Sequence, residues 1–208
     1  NAYIATIDVS IAFLKDNEVI TKKEFSNSIG ARTDAIAISA NHYFLDKISV
    51  ALSRDDLVAE LTITDRNTSK SSKQIFPLKT LSQNALISDL EISQNIKSDN
   101  TKSLEKFHRG DYLFYVDPIP IFSQAQDSLF FYYEIYNLSL SADSLYHFTE
   151  QLTLKQNDSL VVELGNAYTI DQVPFKTFKS IPINDLKEGF YQIDLTINDL
   201  KTQTIKTS

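Results

Sequence analysis

Residues 129–137 read LFFYYEIYN, a stretch that places large side chains on both faces of an extended chain. Successive side chains of a β-strand point to opposite faces, so every second residue shares a face. The apolar face comprises Leu129, Phe131, Tyr133 and Ile135, and the second, aromatic face comprises Phe130, Tyr132 and Tyr136. Such a strand is central in its sheet or packed on both faces. The stretch therefore predicts a β-protein with a layered core.

The same period of two continues through most of the chain on either side of this stretch. The predicted strands are Tyr3–Phe13, Val19–Phe25, Tyr43–Leu52, Leu57–Asp65, Gln74–Leu78, Leu86–Ile92, Tyr112–Val116, Leu129–Asn137, Tyr146–Leu154, Leu160–Leu164, Phe175–Ile183, Phe190–Asp199 and Thr202–Thr207. Short strands separated by polar turns at this spacing are typical of β-sandwiches. We expect an all-β fold of two tandem immunoglobulin/fibronectin-III-like β-sandwich domains.

An internal repeat indicates where the two domains meet. Residues 61–68 read LTITDRNT and residues 195–202 read LTINDLKT, which share the pattern L-T-I-x-D-x-x-T. If each copy is the penultimate strand and turn of a sandwich, the domains span residues 1–80 and 81–208. The aspartate of each copy is expected to cap a turn. The polar segment 93–109 is predicted to be a long exposed loop, with at most a turn or two of helix in Ser98–Phe107 and in Ile183–Lys187.

Composition excludes several classes of function. The net charge of −7 disfavours a nucleic-acid partner, because phosphate binding needs a basic surface. The absence of Cys excludes disulfides, thiolate nucleophiles and Cys-based zinc sites. No apolar run approaches the roughly 18 residues of a transmembrane helix. Because the chain contains no Met, we expect that Asn1 follows a removed signal sequence or a longer upstream region, which favours an exported protein.

Several fragments, taken in order, resemble the β-sandwich portion of the GWxTD-domain proteins of Bacteroidetes and related bacteria. They are LTITDRNTSK (61–70), ISDLEIS (87–93), VDPIPIF (116–122), LFFYYEIYNL (129–138) and IPINDLKEGFYQ (181–192). The Gly-Trp-x-Thr-Asp motif that names the family is absent, and the chain has no Trp. The resemblance implies an exported envelope protein with tandem sandwiches and implies no activity.

The residues that most often carry chemistry form no recognisable site. His42, His108 and His147 lie far apart and lack metal-ligand spacing, so surface or turn positions are expected for them. The acidic pairs Asp55-Asp56 and Asp185/Glu188 lack the D-x-D-x-D pattern of calcium loops and are expected to be solvated. No G-x-S-x-G motif supports a nucleophilic serine. We therefore predict no catalytic, metal or cofactor site and a protein that is not an enzyme.

Two features point to binding or modification. Tyr132 and Tyr136 lie on the second face of their strand, where they either pack in the core or form an exposed aromatic binding face for sugars or a protein. Asp-Ser-Leu occurs at 127–129, 143–145 and 158–160 and resembles the D-S/T-aliphatic O-glycosylation acceptor of Bacteroidetes, which marks Ser128, Ser144 and Ser159. The alternative is that Asp-Ser simply forms the turn before each strand.

The sequence favours a non-catalytic structural or protein-interaction module of a bacterial cell-envelope or surface assembly. Its partners would be other envelope or surface proteins, or further copies joined through strand edges. The expected location is the periplasm, the outer membrane or the cell surface. The alternative is a carbohydrate-binding β-sandwich module that uses exposed Tyr and Phe, for which glycans would be the ligands.

Overall fold

A computed structural model describes residues 3–37, 45–53, 57–78, 81–99, 101, 104–116, 121–123 and 126–207. In the part of the chain that the structure describes, 58% of the residues are in strands and 3% in helices, so the protein is all-β. Backbone contacts divide the chain into two compact units, Asn1–Ser82 and Gln83–Ser208. That the chain divides between residues 80 and 81 into two separately folding domains stays a prediction.

The first unit contains one antiparallel sheet, whose strand order is β2-β1-β3-β4. Its elements are β1 (Tyr3–Lys15), β2 (Glu18–Ala31), the short helix α1 (Asp34–Ala37), β3 (Leu57–Asp65) and β4 (Ser71–Leu78). Asp16 and Asn17 join β1 to β2 with φ angles of 51° and 68°. Asn and Asp tolerate this left-handed conformation, and two such residues in succession make the turn that fits the twist of a hairpin.

The second unit contains three antiparallel sheets, ordered β11-β10-β13-β14, β12-β9-β5 and β6-β8-β7. Their strands are β5 (Glu91–Ser93), β6 (Ile96–Ser98), β7 (His108–Arg109), β8 (Tyr112–Phe114), β9 (Ser128–Ile135), β10 (Tyr146–Gln156), β11 (Ser159–Ile170), β12 (Phe175–Pro182), β13 (Gln192–Asp199) and β14 (Thr204–Thr207). A single 3-10 turn at Glu105–Phe107 precedes β7.

The main core of the second unit lies between its two larger sheets. The inward side chains of both sheets belong to one apolar cluster and are 0–5% exposed: Leu129, Phe131, Tyr133, Ile135, Phe148, Leu152, Ile181, Leu195 and Ile197. Each large apolar side chain buried in this way contributes about 1.5–3 kcal/mol. Alternation on β9, β10 and β13 therefore fixes which face of each sheet is covered.

Strand β9 is buried on its second face as well. The ring of Tyr132 is 5% exposed and lies 5.0 Å from the ring of Phe178 and 6.1 Å from that of Phe114, measured between centroids. Phe114 belongs to β8, so the small β6-β8-β7 sheet covers this side of β9. The prediction of a strand that is central or packed on both faces is confirmed for residues 129–135, whereas residues 136 and 137 lie beyond the end of β9.

The four-stranded sheets of the two units have the same construction. In each, a hairpin is followed by a strand that pairs with the first strand of the hairpin and then by a last antiparallel strand. Ile7 of β1 pairs with Asp65 of β3, and at the equivalent position of the second unit Phe148 of β10 pairs with Asp199 of β13. The pairs that follow match in the same way, so the two ladders share one register. Both hairpins also contain one register shift, at Phe13/Leu14 and at Leu154/Lys155. The short sequence repeat thus marks a structural repeat, whose two copies span residues 3–78 and 146–207.

Three predicted elements are absent or much shorter in the structure. Residues 45–52 of the predicted strand Tyr43–Leu52 form no strand, and residues 43–44 lie outside the described residues. In Leu86–Ile92 only the last two residues are in β5, and Ile87 makes an isolated bridge to Ile135. The segment Ile183–Lys187 is a turn closed by the bond from Leu186 N to Ile183 O (3.1 Å), without a helix.

The predicted exposed loop 93–109 is wrong for much of its length. The 3-10 turn at Glu105–Phe107 falls within the segment Ser98–Phe107, for which at most a turn or two of helix is predicted. The loop also holds the last residue of β5 and all of β6 and β7. The reason is Phe107, whose side chain is 5% exposed and whose ring centroid lies 5.0 Å from that of Tyr115. One buried aromatic residue is enough to fix a polar segment against the sheet, and composition alone did not indicate this.

Candidate functional site

The predicted aromatic pair lies in a polar network on the outer face of β9. Tyr132 Oη donates to Glu134 Oε1, and Tyr136 Oη donates to Glu134 Oε2 at 2.9 Å. Burial, followed by the bond to Glu134, raises the pKa of Tyr136 to about 12. Tyr132 is 5% exposed and Tyr136 is half-buried, so the structure brings the two residues together through one carboxylate. A binding role for the pair stays a prediction.

Charged side chains close this network at both ends. Arg109 makes a two-pronged ion pair with Glu91, with Nε 2.8 Å from Oε2, and its Cζ lies 5.2 Å from the centroid of the Tyr132 ring. Lys176 Nζ lies 3.7 Å from Glu134 Oε1. Burial alone would raise the pKa of Glu134, but the two tyrosine hydroxyls and then the cations outweigh it and lower that pKa. Glu91 and Glu134 each therefore lie beside a cationic side chain.

A second network, which sequence reasoning missed, joins the two large sheets inside the core. Glu150 on β10 is 3% exposed and accepts a hydrogen bond from Tyr133 Oη. Its Oε1 lies 3.0 Å from Nζ of Lys179 on β12, which also donates to Tyr168 Oη. The sequence did contain a signal for this network, because Glu150 occupies an inward-facing position between Phe148 and Leu152 on the same strand. An acidic residue in the apolar phase of a strand predicts a buried partner.

The first unit has a polar groove of about 420 Å³ on one face of its sheet, lined by Asp8, Ser10, Glu24, Ser26, Thr62, Thr64 and Arg66. Arg66 Nε donates to Asp8 Oδ2 at 2.7 Å, and Ser26 Oγ donates to Asp8 Oδ1 at 2.5 Å. The bond from Arg66, then that from Ser26, holds the pKa of Asp8 below its usual range. These groups satisfy one another, as on an ordinary solvated sheet face.

The three candidate serines all lie at the start of strands or in the turn before one. Ser128 is half-buried at the first position of β9, and Ser159 is exposed at the first position of β11. Ser144 is exposed in the turn before β10, with a φ of 64°. Asp143 accepts a bond from Leu145 N at 3.2 Å, which fits a turn-forming role for the Asp-Ser pair. Whether these serines are modified stays a prediction.

The repeated aspartates cap turns, as the sequence predicted. Asp65 accepts bonds from Asn67 N and Thr68 Oγ1, both at 2.8 Å. Asp199 accepts bonds from Lys201 N and Ser139 N, both at 2.9 Å, and Thr202 adds a hydroxyl. The two turns differ in burial, because Asp199 is 1% exposed whereas Asp65 is half-buried.

The histidines and the acidic pairs form no metal site within the described residues. His147 faces outward and bonds to Asp143 Oδ2 (2.8 Å) and Thr169 Oγ1 (3.0 Å). Asp185 and Glu188 are exposed. His42 and the pair Asp55-Asp56 lie outside the described residues. Across the part of the chain that the structure describes, no three His, Asp or Glu side chains are grouped to hold an ion.

Two long strands have no further strand partner in the part of the chain that the structure describes. β2 (14 residues) and β11 (12 residues) each form one edge of a four-stranded sheet. Exposed apolar side chains lie at equivalent positions beside the two hairpin turns: Val19 (57% exposed), Ile20 (48%), Leu160 (54%) and Val161 (43%). Unpaired edges of this length present free backbone donors and acceptors to another strand.

Comparison with known proteins adds no assignment. Neither a family model nor a curated protein sequence gives a significant match to this chain. None of the helices in the described ranges is long and apolar enough to cross a membrane.

Proposed function

We propose that this chain is a non-catalytic structural or protein-interaction module of a bacterial cell-envelope or surface assembly. On this proposal it is exported and works in the periplasm, at the outer membrane or on the cell surface, as the resemblance to GWxTD-domain proteins implies. Its partners are envelope proteins or further copies of itself. The observation that carries the proposal is the pair of long edge strands, β2 and β11, at equivalent places in the two units.

The strand arrangement of the second unit supports an immunoglobulin/fibronectin-III-like sandwich, and the described strands of the first unit supply one sheet of a further copy. In the second unit, β5, β9 and β12 take the places of strands A, B and E of such a sandwich, and β10, β13 and β14 take those of C, F and G. β11 then corresponds to the extra strand beside C. The sheet of the first unit repeats the C-F-G side in the same register. Tandem sandwiches of this kind commonly act as rigid spacers and binding modules.

Edge-strand assembly predicts the effect of adding charge to the exposed hairpin ends. We expect the wild-type protein from envelope extracts to elute as a complex, and the variant V19K/I20K/L160K/V161K to elute as a monomer in size-exclusion chromatography with intact mass spectrometry. Lysine on an edge strand opposes pairing with a further strand. Leu200→Lys is the matched control, because Leu200 is 47% exposed and lies in a turn.

The control variant should keep the wild-type elution volume. A wild-type protein that is strictly monomeric and captures nothing from envelope extracts would contradict the proposal, as would equal loss of assembly in the control. Far-UV circular dichroism would check that the variant remains folded, since exposed substitutions change stability by only about 0.5 kcal/mol.

The carbohydrate-binding alternative needs an exposed aromatic platform. Sugar rings stack on open aromatic faces, and at 5% exposure the ring of Tyr132 offers none. Of the two predicted tyrosines, Tyr132 and Tyr136, only Tyr136 keeps part of its side chain exposed to solvent. We therefore place the interaction surface at the strand edges.

Modification of the Asp-Ser-Leu serines is a separate prediction that would support export. Intact mass spectrometry of the protein from its native host should show added mass, which falls in steps in S159A and S144G. Glycine suits position 144, because the φ of 64° there strains residues with a Cβ atom. Ser128→Ala should change the mass least, since Ser128 is half-buried. An unmodified wild-type mass would contradict this prediction.

A further inference from the structure

Strand β11 is the less protected of the two long edge strands. It spans Ser159–Ile170 and pairs with β10 on one side, and no strand of the described residues pairs with its other side. Its sequence, SLVVELGNAYTI, contains a single charged residue, Glu163, and no Pro. Edge strands normally resist further pairing through Lys, Pro or a short length. β2 carries four charged residues instead: Glu18, Lys22, Lys23 and Glu24. β11 is therefore the edge better suited to accept a further strand.

The regular part of β11 is centred on Asn166. Residues 162–170 pair with β10 without interruption, and the register shift of this hairpin lies just before them. They read VELGNAYTI, and residues at equal distances on either side of Asn166 belong to the same class. These pairs are the small Gly165 and Ala167, the large apolar Leu164 and Tyr168, the polar Glu163 and Thr169, and the β-branched Val162 and Ile170. The strand is thus palindromic in side-chain class.

A strand of this pattern is complementary to its own copy. In an antiparallel pair, directly opposite residues lie on the same face of the sheet and contact each other. A two-fold axis through Asn166 places each residue opposite the other member of its class, as with Leu164 and Tyr168. No like charges meet, because Glu163 lies opposite Thr169. Two-fold interfaces need such self-complementarity, since both copies use the same surface.

We propose that two copies of this chain pair antiparallel through β11, about a two-fold axis at Asn166, and so join their β11-β10-β13-β14 sheets into one eight-stranded sheet. The backbone groups on the unpaired side of β11 supply the hydrogen bonds, and the palindromic side chains fix the register. This inference rests on the proposed function, and it names a second copy as the partner and β11 as the surface.

Pairing also covers the open margin of the core in the second unit. Val162, Tyr168 and Ile170 pack against the core cluster but are only partly buried. Leu164, which lies on the same face of β11, is 37% exposed. In the dimer each of these side chains meets an apolar side chain of the other copy. Burial of this apolar surface adds to the hydrogen bonds between the joined strands.

Sedimentation equilibrium of the purified chain over a range of concentrations tests the contact. The wild type should dimerise, and Thr169→Glu should raise the dimer dissociation constant about 10-fold, because each Glu163 then faces a like charge across the axis. The double variant E163K/T169E should restore dimerisation, since each Lys faces a Glu of the other copy. Within one chain the two positions are about 20 Å apart along the strand, so only pairing between copies links them.

Ser28→Glu is the matched control, because Ser28 holds the equivalent place on β2. Ser28 Oγ lies 3.1 Å from Thr6 Oγ1 on the neighbouring strand, as Thr169 Oγ1 lies 3.0 Å from His147 Nδ1. This variant should leave the dissociation constant unchanged. Dissociation of the dimer by Ser28→Glu would instead place the interface on β2.

Cross-linking tests the register, because the protein has no Cys of its own. With a short thiol–thiol cross-linker, Asn166→Cys should give a covalent dimer, since residue 166 meets its own copy on the axis. Glu163→Cys should give none, because its two copies lie about 20 Å apart.

Four results would overturn the proposal: a purified wild type that stays monomeric at every concentration, equal effects of Thr169→Glu and Ser28→Glu, no restoration in E163K/T169E, or equal cross-linking at residues 163 and 166. None of them decides the proposed function, which is tested on complexes from envelope extracts and involves β2 as well as β11. The two proposals can therefore fail separately.

Discussion

Replacing Lys179 with methionine should lower the free energy of unfolding of the second unit by about 3 kcal/mol. Lys179 Nζ lies 3.0 Å from Oε1 of Glu150, which is 3% exposed between the two large sheets. Methionine keeps much of the side-chain volume but removes the cation, so the Glu150 carboxylate remains buried with only the Tyr133 hydroxyl as partner. An uncompensated buried charge is among the most destabilising changes that a core can suffer.

The reverse experiment separates charge burial from packing. Combining K179M with E150L and Y133F removes the buried ion pair and the Tyr133 hydroxyl and leaves Tyr168 as the remaining polar member of the network, so stability should return to within about 1 kcal/mol of the wild type. Lys155→Met is the matched control, since Lys155 forms an ion pair of 2.8 Å with Asp194 while 38% of its side chain is exposed. It should cause little or no loss, because exposed ion pairs contribute little.

Urea unfolding followed by tyrosine fluorescence is the measurement, and it reports mainly on the second unit, which holds eight of the ten Tyr residues. Equal stability losses in Lys179→Met and Lys155→Met would contradict a buried-charge role for Glu150. Alkaline titration gives a second check. Hydrogen bonds to Tyr168 and Glu150 outweigh the effect of burial and raise the pKa of Lys179. Its contribution should therefore be present at neutral pH and fall as the pH rises above the ordinary lysine value of about 10.4.

Asp199→Ala should destabilise the second unit by about 2–3 kcal/mol, because it leaves the backbone N–H groups of Ser139 and Lys201 without their acceptor. Asp199 is 1% exposed and accepts bonds from Ser139 N and Lys201 N, both at 2.9 Å. One carboxylate thus fixes two separate loops. Asp199→Asn keeps one acceptor oxygen but places an NH₂ group against a backbone donor. The stability of this variant should therefore lie between those of the wild type and Asp199→Ala.

Asp65→Ala is the matched control, because Asp65 forms the same turn in the more exposed first sheet. Its bonds to Asn67 N and Thr68 Oγ1 can be replaced by water, so the loss in the first unit should be clearly smaller. Hydrogen-exchange mass spectrometry would read the two units separately. If Asp65→Ala cost as much as Asp199→Ala, burial would not be the deciding factor.

The effect of Asp199→Ala should depend on pH in a defined direction. Burial alone would raise the pKa of Asp199, but the bonds from Lys201 and Ser139 outweigh it and hold the pKa below its usual range. A depressed carboxylate pKa stabilises the fold above the ordinary value, and the stabilisation is lost as the pH falls through the folded-state value. The difference between wild type and Asp199→Ala should therefore shrink below pH of about 4.

Local patterns in the sequence were sufficient for most strands and turns. β1, β3, β9 and β10 follow directly from alternation, since their apolar phase is regular. The Asp65 and Asp199 turns follow from the short reach of an aspartate to its own backbone. Alternation failed at Tyr43–Leu52, where the pattern was present but residues 45–52 join no sheet. The prediction of an exposed loop at residues 93–109 also failed, because the buried side chain of Phe107 holds this polar segment in place.

The sequence by itself determined the all-β class, the alternating faces and the repeated L-T-I-x-D-x-x-T turn, because each depends on residues close together in the chain. Only the tertiary structure decided that Tyr132 is covered by Phe114, that Glu150 meets Lys179, and that the first sheet is less covered than its counterpart. These contacts depend on which sheet lies over which. A strand sequence specifies a face that must be buried, and the packing of distant segments determines what buries it.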